Sequence, residues 1–351
     1  MNYYISILFR AIPLLMGMIC LTYGFYINSL GDRLGAGYIV ASHVILFLTA
    51  ICIALFTTAA TIIRQLINKY NSVYKVVLPA IGYTCAFISM IGGIYFAYKY
   101  NSIPPYFVSG NIAFGIGLIS ACVSTVALSS TKFLLIPYNS KNLKEGETPK
   151  GAFSDNFAKF LLAIPITCTS VGILYSFYLL SHTNKTDHLI AGFVLFGISL
   201  ICGSLISLVA SVERQIQNKF TNKERWKWSI LVLIFGSIDF ILGILILIIS
   251  KNPAFIAPGY VLIGLGLVCY SISSKVLLLA SVWRRESKLA KRIPMIPIIT
   301  ALTCLFLSAY LSEAELVNIS YFVPAHVLVA LGAICFTLFS IVSILESGTS
   351  K

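Results

Sequence analysis

The sequence contains very little charge. Only 11% of its 351 residues are Asp, Glu, Lys or Arg, whereas 58% are hydrophobic and the mean hydropathy is +0.91. Because so few polar residues cannot cover a water-soluble domain of this length, the sequence predicts a polytopic membrane protein. It also lacks the CxxC, HExxH, GxSxG and Walker-type motifs. We therefore expect no enzyme, no catalytic residues, no bound metal and no cofactor.

Long polar segments are absent as well, apart from one loop at 132–159. A helix that crosses a bilayer needs about 20 apolar residues, and windows of that length recur along the whole chain. The sequence thus predicts an all-α protein whose residues 1–351 form a single transmembrane domain. The ten predicted spans lie approximately at 8–28, 38–63, 74–98, 106–131, 158–181, 188–212, 228–250, 255–282, 293–312 and 321–345.

Basic residues fall mainly on one side of these spans. Apart from Lys275, which lies within a span, twenty Lys and Arg residues lie at the termini and in the loops after even-numbered spans, and only four lie in the other loops. The positive-inside rule therefore predicts cytoplasmic N- and C-termini. A basic cytoplasmic face suits anionic membrane lipids, and no folded domain remains that could bind nucleic acid.

An internal repeat is the strongest pattern in the sequence. The string "YIVASHVILFLTAIC" begins at Tyr38, and "YFVPAHVLVALGAIC" begins at Tyr321. Three related strings lie between them: "YFVSGNIAFGIGLIS", "HLIAGFVLFGISLIC" and "FIAPGYVLIGLGLVC". The sixth residue of the five strings, which we call position 0, is in chain order His43, Asn111, Phe193, Tyr260 and His326.

The repeats predict the architecture. Each contains two spans and has the same orientation, and such parallel repeats are related by an axis along the membrane normal. We therefore predict five two-helix repeats with pseudo-fivefold symmetry, which would make His43 and His326 neighbours. The repeats are approximately 8–66, 74–133, 158–216, 228–284 and 293–347.

One helical face repeats its chemistry most clearly. Positions 0, +4, +7, +11, +14 and +18 share a face at about 100° per residue. Position +14 carries a hydroxyl in every copy, and we call these residues the hydroxyl ring: Thr57, Thr125, Ser207, Ser274 and Ser340. We predict a central lumen with an outer ring at position 0 and the hydroxyl ring below it. The alternative is that small and hydroxyl residues only let the helices pack closely. Small residues at positions −1 and +6 indicate a separate packing face.

All four histidines lie in the outer halves of the predicted spans or in the outer loops. His43 and His326 are in the outer ring, and His182 and His188 flank the connection between spans five and six. Histidine changes charge at moderately acidic pH, so these residues are candidate pH sensors. For His182 and His188, a simple role as loop residues is the alternative.

Two charged residues lie within spans, Asp239 in span seven and Lys275 in span eight. Charges inside a membrane often handle protons or ions. A neutralising ion pair that fixes the two helices is an equal alternative, and Lys275 alone could extend toward the interface.

The nine cysteines are distributed over the spans of both orientations, which indicates packing rather than disulfides.

Several phrases resemble a known family. The strings "ACVSTVA", "FLLIP", "KVLLLASVWRR", "RIPMIP" and "GAICFTLFSIVSILE" are similar to the YhiM family of bacterial inner-membrane proteins. The resemblance implies a bacterial inner-membrane location and a link to survival in acid. It implies no functional residues.

Two functions follow as hypotheses. The first is a pH-responsive channel or transporter for protons, ions or a small polar solute. The second is a membrane sensor or scaffold that binds lipid or a partner protein. A continuous axial cavity favours the first hypothesis, and a packed axis favours the second.

Overall fold

Ten long α-helices make up the computed structural model, which describes residues 3–67, 69–132, 148, 150–282 and 292–349. Within these residues no strand occurs, and all ten helices are long and apolar enough to cross a membrane. The predicted all-α polytopic class is therefore confirmed. The helices are α1 (Tyr3–Leu34), α2 (Ala36–Leu66), α3 (Ser72–Lys99), α4 (Pro104–Ser129), α5 (Asp155–Leu180), α6 (Thr186–Ile216), α7 (Asn222–Ile249), α8 (Ile256–Val282), α9 (Met295–Glu315) and α10 (Phe322–Thr349).

Most of the predicted loop at 132–159 lies outside the described residues, as do the last residues of two predicted repeats, at 133 and at 283–284. A short 3₁₀ turn, Ser130–Lys132, ends the chain segment before that loop. After it, Ser154 caps α5 by accepting a hydrogen bond from the backbone N–H of Phe157. The fifth helix thus begins a few residues before its predicted start.

Consecutive helices form antiparallel hairpins. Gly17 of α1 approaches Cys52 of α2, whereas Gly31 approaches Ile39 at the other end of the pair. The connection between these two helices is one residue, Gly35, with φ +119°, a conformation that favours glycine. We call the end of the molecule that holds this and the other hairpin connections the far end. The opposite end, where α1 begins and α10 ends, is the terminal end.

The five even-numbered helices contact one another in a closed cycle. Helix α2 contacts α4, α4 contacts α6, α6 contacts α8, α8 contacts α10, and α10 contacts α2. Each odd-numbered helix packs against its own hairpin partner and against the even helix of the preceding hairpin, which for α1 is α10. The first and last hairpins are therefore in contact.

Burial separates the two sets of helices. In its most apolar window, each even helix is at least half buried, whereas each odd helix is a third buried or less. The exposed faces of the odd helices carry large apolar side chains, such as Met18, Phe87, Leu174, Ile241 and Phe306. These faces suit contact with lipid, so the odd helices form an outer layer around the even ones.

Small residues make the close helix contacts within each hairpin. A Cβ atom at Gly117 or Gly266, both at position +6, would overlap the backbone of the preceding odd helix. Gly110 and Gly259, at position −1, are similarly close to the preceding odd helix, which is α3 for Gly110 and α7 for Gly259. The predicted packing role of this face is therefore confirmed at these glycines. All nine cysteines are free thiols, in agreement with a packing role.

Candidate functional site

A cavity of about 660 Å³ lies inside the cycle of even helices, and we call it the axial cavity. Its lining comes from all five even helices and from the turns that precede α8 and α10. On each even helix the lining side chains include positions −3, +1, +5, +8 and +12, which is the spacing of one helical face. Position −6, with Gly37, Pro105 and Asp187, lines the far end. Position +15 is the lining position nearest to the terminal end. From −3 to +15, the helix rise gives this section of the cavity a length of about 27 Å.

The lining is aliphatic over most of this length. Five valine, leucine or isoleucine side chains meet at each of the positions +1, +5, +8 and +12, and we call these sets the aliphatic layers. The layer at +5 consists of Leu48, Ile116, Ile198, Leu265 and Leu331. The layer at +8 consists of Ile51, Ile119, Ile201, Val268 and Ile334.

Charged side chains line the axial cavity at two places near its ends. Asp187 lies at the far end and is partly exposed, so water can solvate its carboxylate. Lys275 lies at the terminal end, at position +15, where the corresponding residues include Thr58, Val126 and Leu208. The Lys275 side chain is 3% exposed.

The outer ring does not line the axial cavity, so the predicted orientation of this face was wrong. The lining residues come one place later in the chain, at Val44, Ile112, Val194, Val261 and Val327. One residue corresponds to a rotation of about 100° around the helix axis. Position 0 therefore points sideways, toward the neighbouring hairpin.

Each member of the outer ring contacts the next hairpin in the cycle. His43 contacts α3 and α4, the amide of Asn111 accepts a hydrogen bond from the Tyr175 hydroxyl of α5, and His326 contacts α1. The remaining two make ring contacts with the turns before α8 and α10, namely Phe193 with Phe255 and Tyr260 with Tyr321. Position 0 is thus an interface position, which accounts for its bulk.

His43 and His326 lie at different interfaces. His43 stacks on Phe96 with ring centroids 5.2 Å apart, and its Nδ1 is 3.1 Å from the Ser109 hydroxyl. His326 is hydrogen-bonded through Nδ1 to the Tyr23 hydroxyl, and its Nε2 lies 3.6 Å from a carboxylate oxygen of Glu315. The two imidazoles are therefore on opposite sides of the first hairpin, and they do not contact each other as the repeat had suggested.

The hydroxyl ring is fully buried and does not line the axial cavity. Thr57, Thr125, Ser274 and Ser340 donate hydrogen bonds to carbonyl groups one turn earlier in their own helices. Thr125 also bonds the Tyr83 hydroxyl of α3, while Ser207 has no hydrogen-bond partner among the described residues. Hydroxyl groups that donate hydrogen bonds to carbonyls of their own helix are typical of closely packed helices. This favours the alternative interpretation, in which the hydroxyl ring only lets the helices pack closely.

His182 and His188 lie together at the far end. Their ring centroids are 5.2 Å apart, and His188 also stacks on Phe107 at 4.4 Å. The Nδ1 atom of His182 is 2.9 Å from the carbonyl oxygen of Tyr178. These contacts hold the connection between α5 and α6 against α4.

Asp239 and Lys275 do not form an ion pair. The carboxylate of Asp239 is fully buried against Gly197 of α6, and neither of its oxygens has a hydrogen-bond partner among the described residues. Lys275 instead projects into the axial cavity. Only Lys275 of the two charged residues therefore belongs to the cavity.

The sequence interpretation missed one buried acid. Glu213 of α6 is 4% exposed, and both of its carboxylate oxygens lack hydrogen-bond partners in the described part of the chain. It precedes Arg214, which pairs with Glu224 at 2.7 Å, so its sequence context suggested an exposed helix end. No three His, Cys, Asp or Glu side chains among the described residues are arranged to hold a metal ion.

Helices with lipid-facing outer surfaces around a closed inner cycle define a polytopic membrane protein with an internal cavity. The chain belongs to the family described as "Protein of unknown function (DUF2776)", whose profile matches residues 1–350. It is 49% identical over 352 residues to the inner membrane protein YhiM of Escherichia coli K12, and the alignment covers all of both chains. No solved structure matches the chain. The predicted family and inner-membrane class are thereby confirmed.

Proposed function

We propose that the protein is a bacterial inner-membrane channel or transporter and that the axial cavity is its path. The single observation that carries this proposal is that the cavity is bounded by all five even helices. Its section from position −3 to +15, about 27 Å long, approaches the ~30 Å hydrocarbon thickness of a bilayer. A path of this length at the centre of the helices suits passage across the membrane better than it suits a surface site.

The architecture that we propose is five two-helix repeats around an axis along the membrane normal. The closed cycle of even helices supports it, because the fifth hairpin contacts the first. A recurrent contact supports it as well. Position +4 packs against positions +2 and +5 of the next even helix at Gly115, Gly197 and Gly264 alike.

In this proposal the terminal end faces the cytoplasm. Arg64, Lys132 and Arg214 lie at the terminal ends of even helices, where the positive-inside rule expects basic residues. Membrane lipids would surround the odd helices. The far end, with its partly exposed Asp187, would face the periplasm.

The aliphatic layers would act as the gate. A narrow aliphatic constriction excludes water, and ions do not pass a dewetted segment. Dry aliphatic walls would therefore oppose the passage of ions, and polar side chains in a layer would favour it.

Acid would act through the contacts between hairpins. His326 contacts Tyr23 and Glu315, and His43 contacts Ser109. Protonation of an imidazole makes both of its nitrogens donors, which removes any hydrogen bond that it accepted and strengthens a pair with a carboxylate. Such changes would shift adjacent hairpins relative to each other. The resemblance to a family associated with acid survival is in agreement with this role.

The experiment uses the purified protein in liposomes loaded with potassium chloride, with ion release followed by electrodes. The double variant Ile119→Ser with Ile201→Ser makes two members of one aliphatic layer polar, so release should increase at least about tenfold. The matched control, Ile119→Val with Ile201→Val, keeps the layer apolar and should behave like the wild type. If the serine variant folds but releases ions no faster, the axial cavity is not an ion path.

A non-transport role is the second candidate, because the aliphatic lining also fits hydrocarbon. In that role the protein would be a sensor or scaffold whose cavity holds part of a lipid. It predicts no ion release in any variant, whereas the first proposal predicts release after the layer is made polar.

A further inference from the structure

The axial cavity ends at a buried cation that has no partner. Lys275 is 3% exposed, lines the axial cavity, and also lines a second, small cavity of about 20 Å³ at the terminal end. It forms no ion pair or hydrogen bond with any described residue. Thr58, the polar neighbour that lines both cavities, directs its hydroxyl to the carbonyl oxygen of Ala54.

An unpaired ammonium group is costly in such surroundings. Removing a charge from water without a counter-charge costs several kcal/mol, so buried lysines normally have an anionic partner. Asp239 and Glu213, the two buried acids among the described residues, do not pair with Lys275. The missing partner can therefore come from a ligand, since the Lys275 side chain points into open space.

The rest of the axial cavity determines the class of that ligand. Its volume of about 660 Å³ lies within the range of small-molecule sites, which combine apolar walls with a few placed polar groups. This volume is spread over a length of at least about 27 Å, so the cavity is elongated. An inorganic anion would leave the aliphatic layers empty, and an uncharged hydrocarbon would leave Lys275 unpaired.

We propose that the axial cavity binds a single-chain anionic amphiphile, namely a fatty carboxylate. Its carboxylate pairs with the ammonium group of Lys275, and its alkyl chain lies along the aliphatic layers toward the far end. Asp187 does not oppose this arrangement, because it lies at the opposite end of the cavity in contact with water. This inference does not depend on ion passage; it shares the axial cavity with the first candidate function and names a ligand class for the second.

The test measures binding of radiolabelled dodecanoate to the full-length protein in phosphatidylcholine nanodiscs. Lys275→Met removes the charge but keeps a long apolar side chain, and because it removes an unpaired buried charge the variant should still fold. Because a hydrogen bond to a charged group contributes about 1.5–3 kcal/mol, dodecanoate affinity should fall between about tenfold and a hundredfold. Lys275→Arg should retain most of the affinity.

Three further measurements separate the contribution of the head group from that of the alkyl chain. Dodecanol, which lacks the charge, should bind the wild type and Lys275→Met equally. Lys227→Met, which changes an exposed lysine near the terminal end of α7, should not affect dodecanoate binding. Leu265→Trp fills one aliphatic layer and should abolish binding of both ligands.

Two results would overturn the inference: no dodecanoate binding to the wild type, or equal dodecanoate affinity in the folded wild type and Lys275→Met. Both are independent of the liposome assay. Ion release without dodecanoate binding would leave the proposed function intact, whereas dodecanoate binding without ion release would leave only this inference.

Discussion

The imidazole of His326, on the last helix, is hydrogen-bonded to the hydroxyl of Tyr23, on the first helix, across 303 positions of the chain. The two rings also meet edge to face, with centroids 5.8 Å apart. This contact joins the fifth hairpin to the first. Among the described residues, it is the only outer-ring contact that joins the first and last hairpins. Its loss should therefore destabilise the packing of the fifth hairpin against the first.

Tyr23→Phe should destabilise the protein modestly. The variant keeps the ring contact and removes one partly buried hydrogen bond, so the free energy of unfolding should fall by about 1 kcal/mol. Thermal unfolding in detergent micelles measures the change. Tyr26→Phe, at an exposed tyrosine one turn along α1, should leave the unfolding temperature unchanged. Equal effects of the two variants would show that the Tyr23 hydroxyl does not stabilise the closure.

Gly93→Ala should destabilise the protein more strongly. A Cβ atom at Gly93 would overlap backbone atoms of Gly110 and Phe114, so α3 and α4 would have to separate. Overpacking of this kind costs about 1–3 kcal/mol. Gly37→Ala is the matched control, because its Cβ would meet only a methyl group of Val323, at 3.8 Å. A similar unfolding temperature for both variants would argue against the tight contact at Gly93.

Asp239→Asn and Lys275→Met should have additive effects on stability. The two side chains form no pair, and Asp239 lies between α6, α7 and α8 while Lys275 faces the axial cavity. Independent sites usually combine to within about 0.5 kcal/mol in a double-mutant cycle. A coupling energy well above that value would mean that the two charges interact.

His326→Ala combined with His43→Ala should remove pH dependence from ion release. In the proposal, acid acts where these imidazoles contact the neighbouring hairpins. We therefore expect release from liposomes to respond to external pH in the wild type and to lose that response in the double variant. His182→Ala, at the far-end connection, serves as the control. An unchanged pH response in the double variant would exclude His43 and His326 from the mechanism.

The ten helices and the packing face could be predicted from the sequence alone. An apolar segment of about twenty residues crosses a bilayer as a helix, because its backbone hydrogen bonds must be satisfied internally. Small residues at helical spacing indicate where two helices approach each other closely. Position +6, with Gly117 and Gly266, was therefore predicted correctly. These features depend on local properties of single helices, which a sequence displays directly.

The lining of the cavity could not be predicted in the same way. Polar residues at position 0 suggested a wet lumen, but Asn111 and His326 are satisfied by tyrosines of neighbouring hairpins. The true lining is valine, leucine and isoleucine, which look the same in a sequence whether they face lipid, protein or a cavity. The predicted and the observed lining faces differ by a rotation of about 100° around the helix axis. The packing of all five hairpins, and not the sequence of one helix, determines that rotation.

A serine scan along α6 tests the central claim most directly, namely that the aliphatic face of the even helices lines the path. Ion release from liposomes should increase for Ile198→Ser, Ile201→Ser and Leu205→Ser, which line the axial cavity, and should not increase for Leu200→Ser, which is buried but does not line it. An increase at Leu200→Ser as large as at its neighbours, or no increase at any of the three lining positions, would contradict the account.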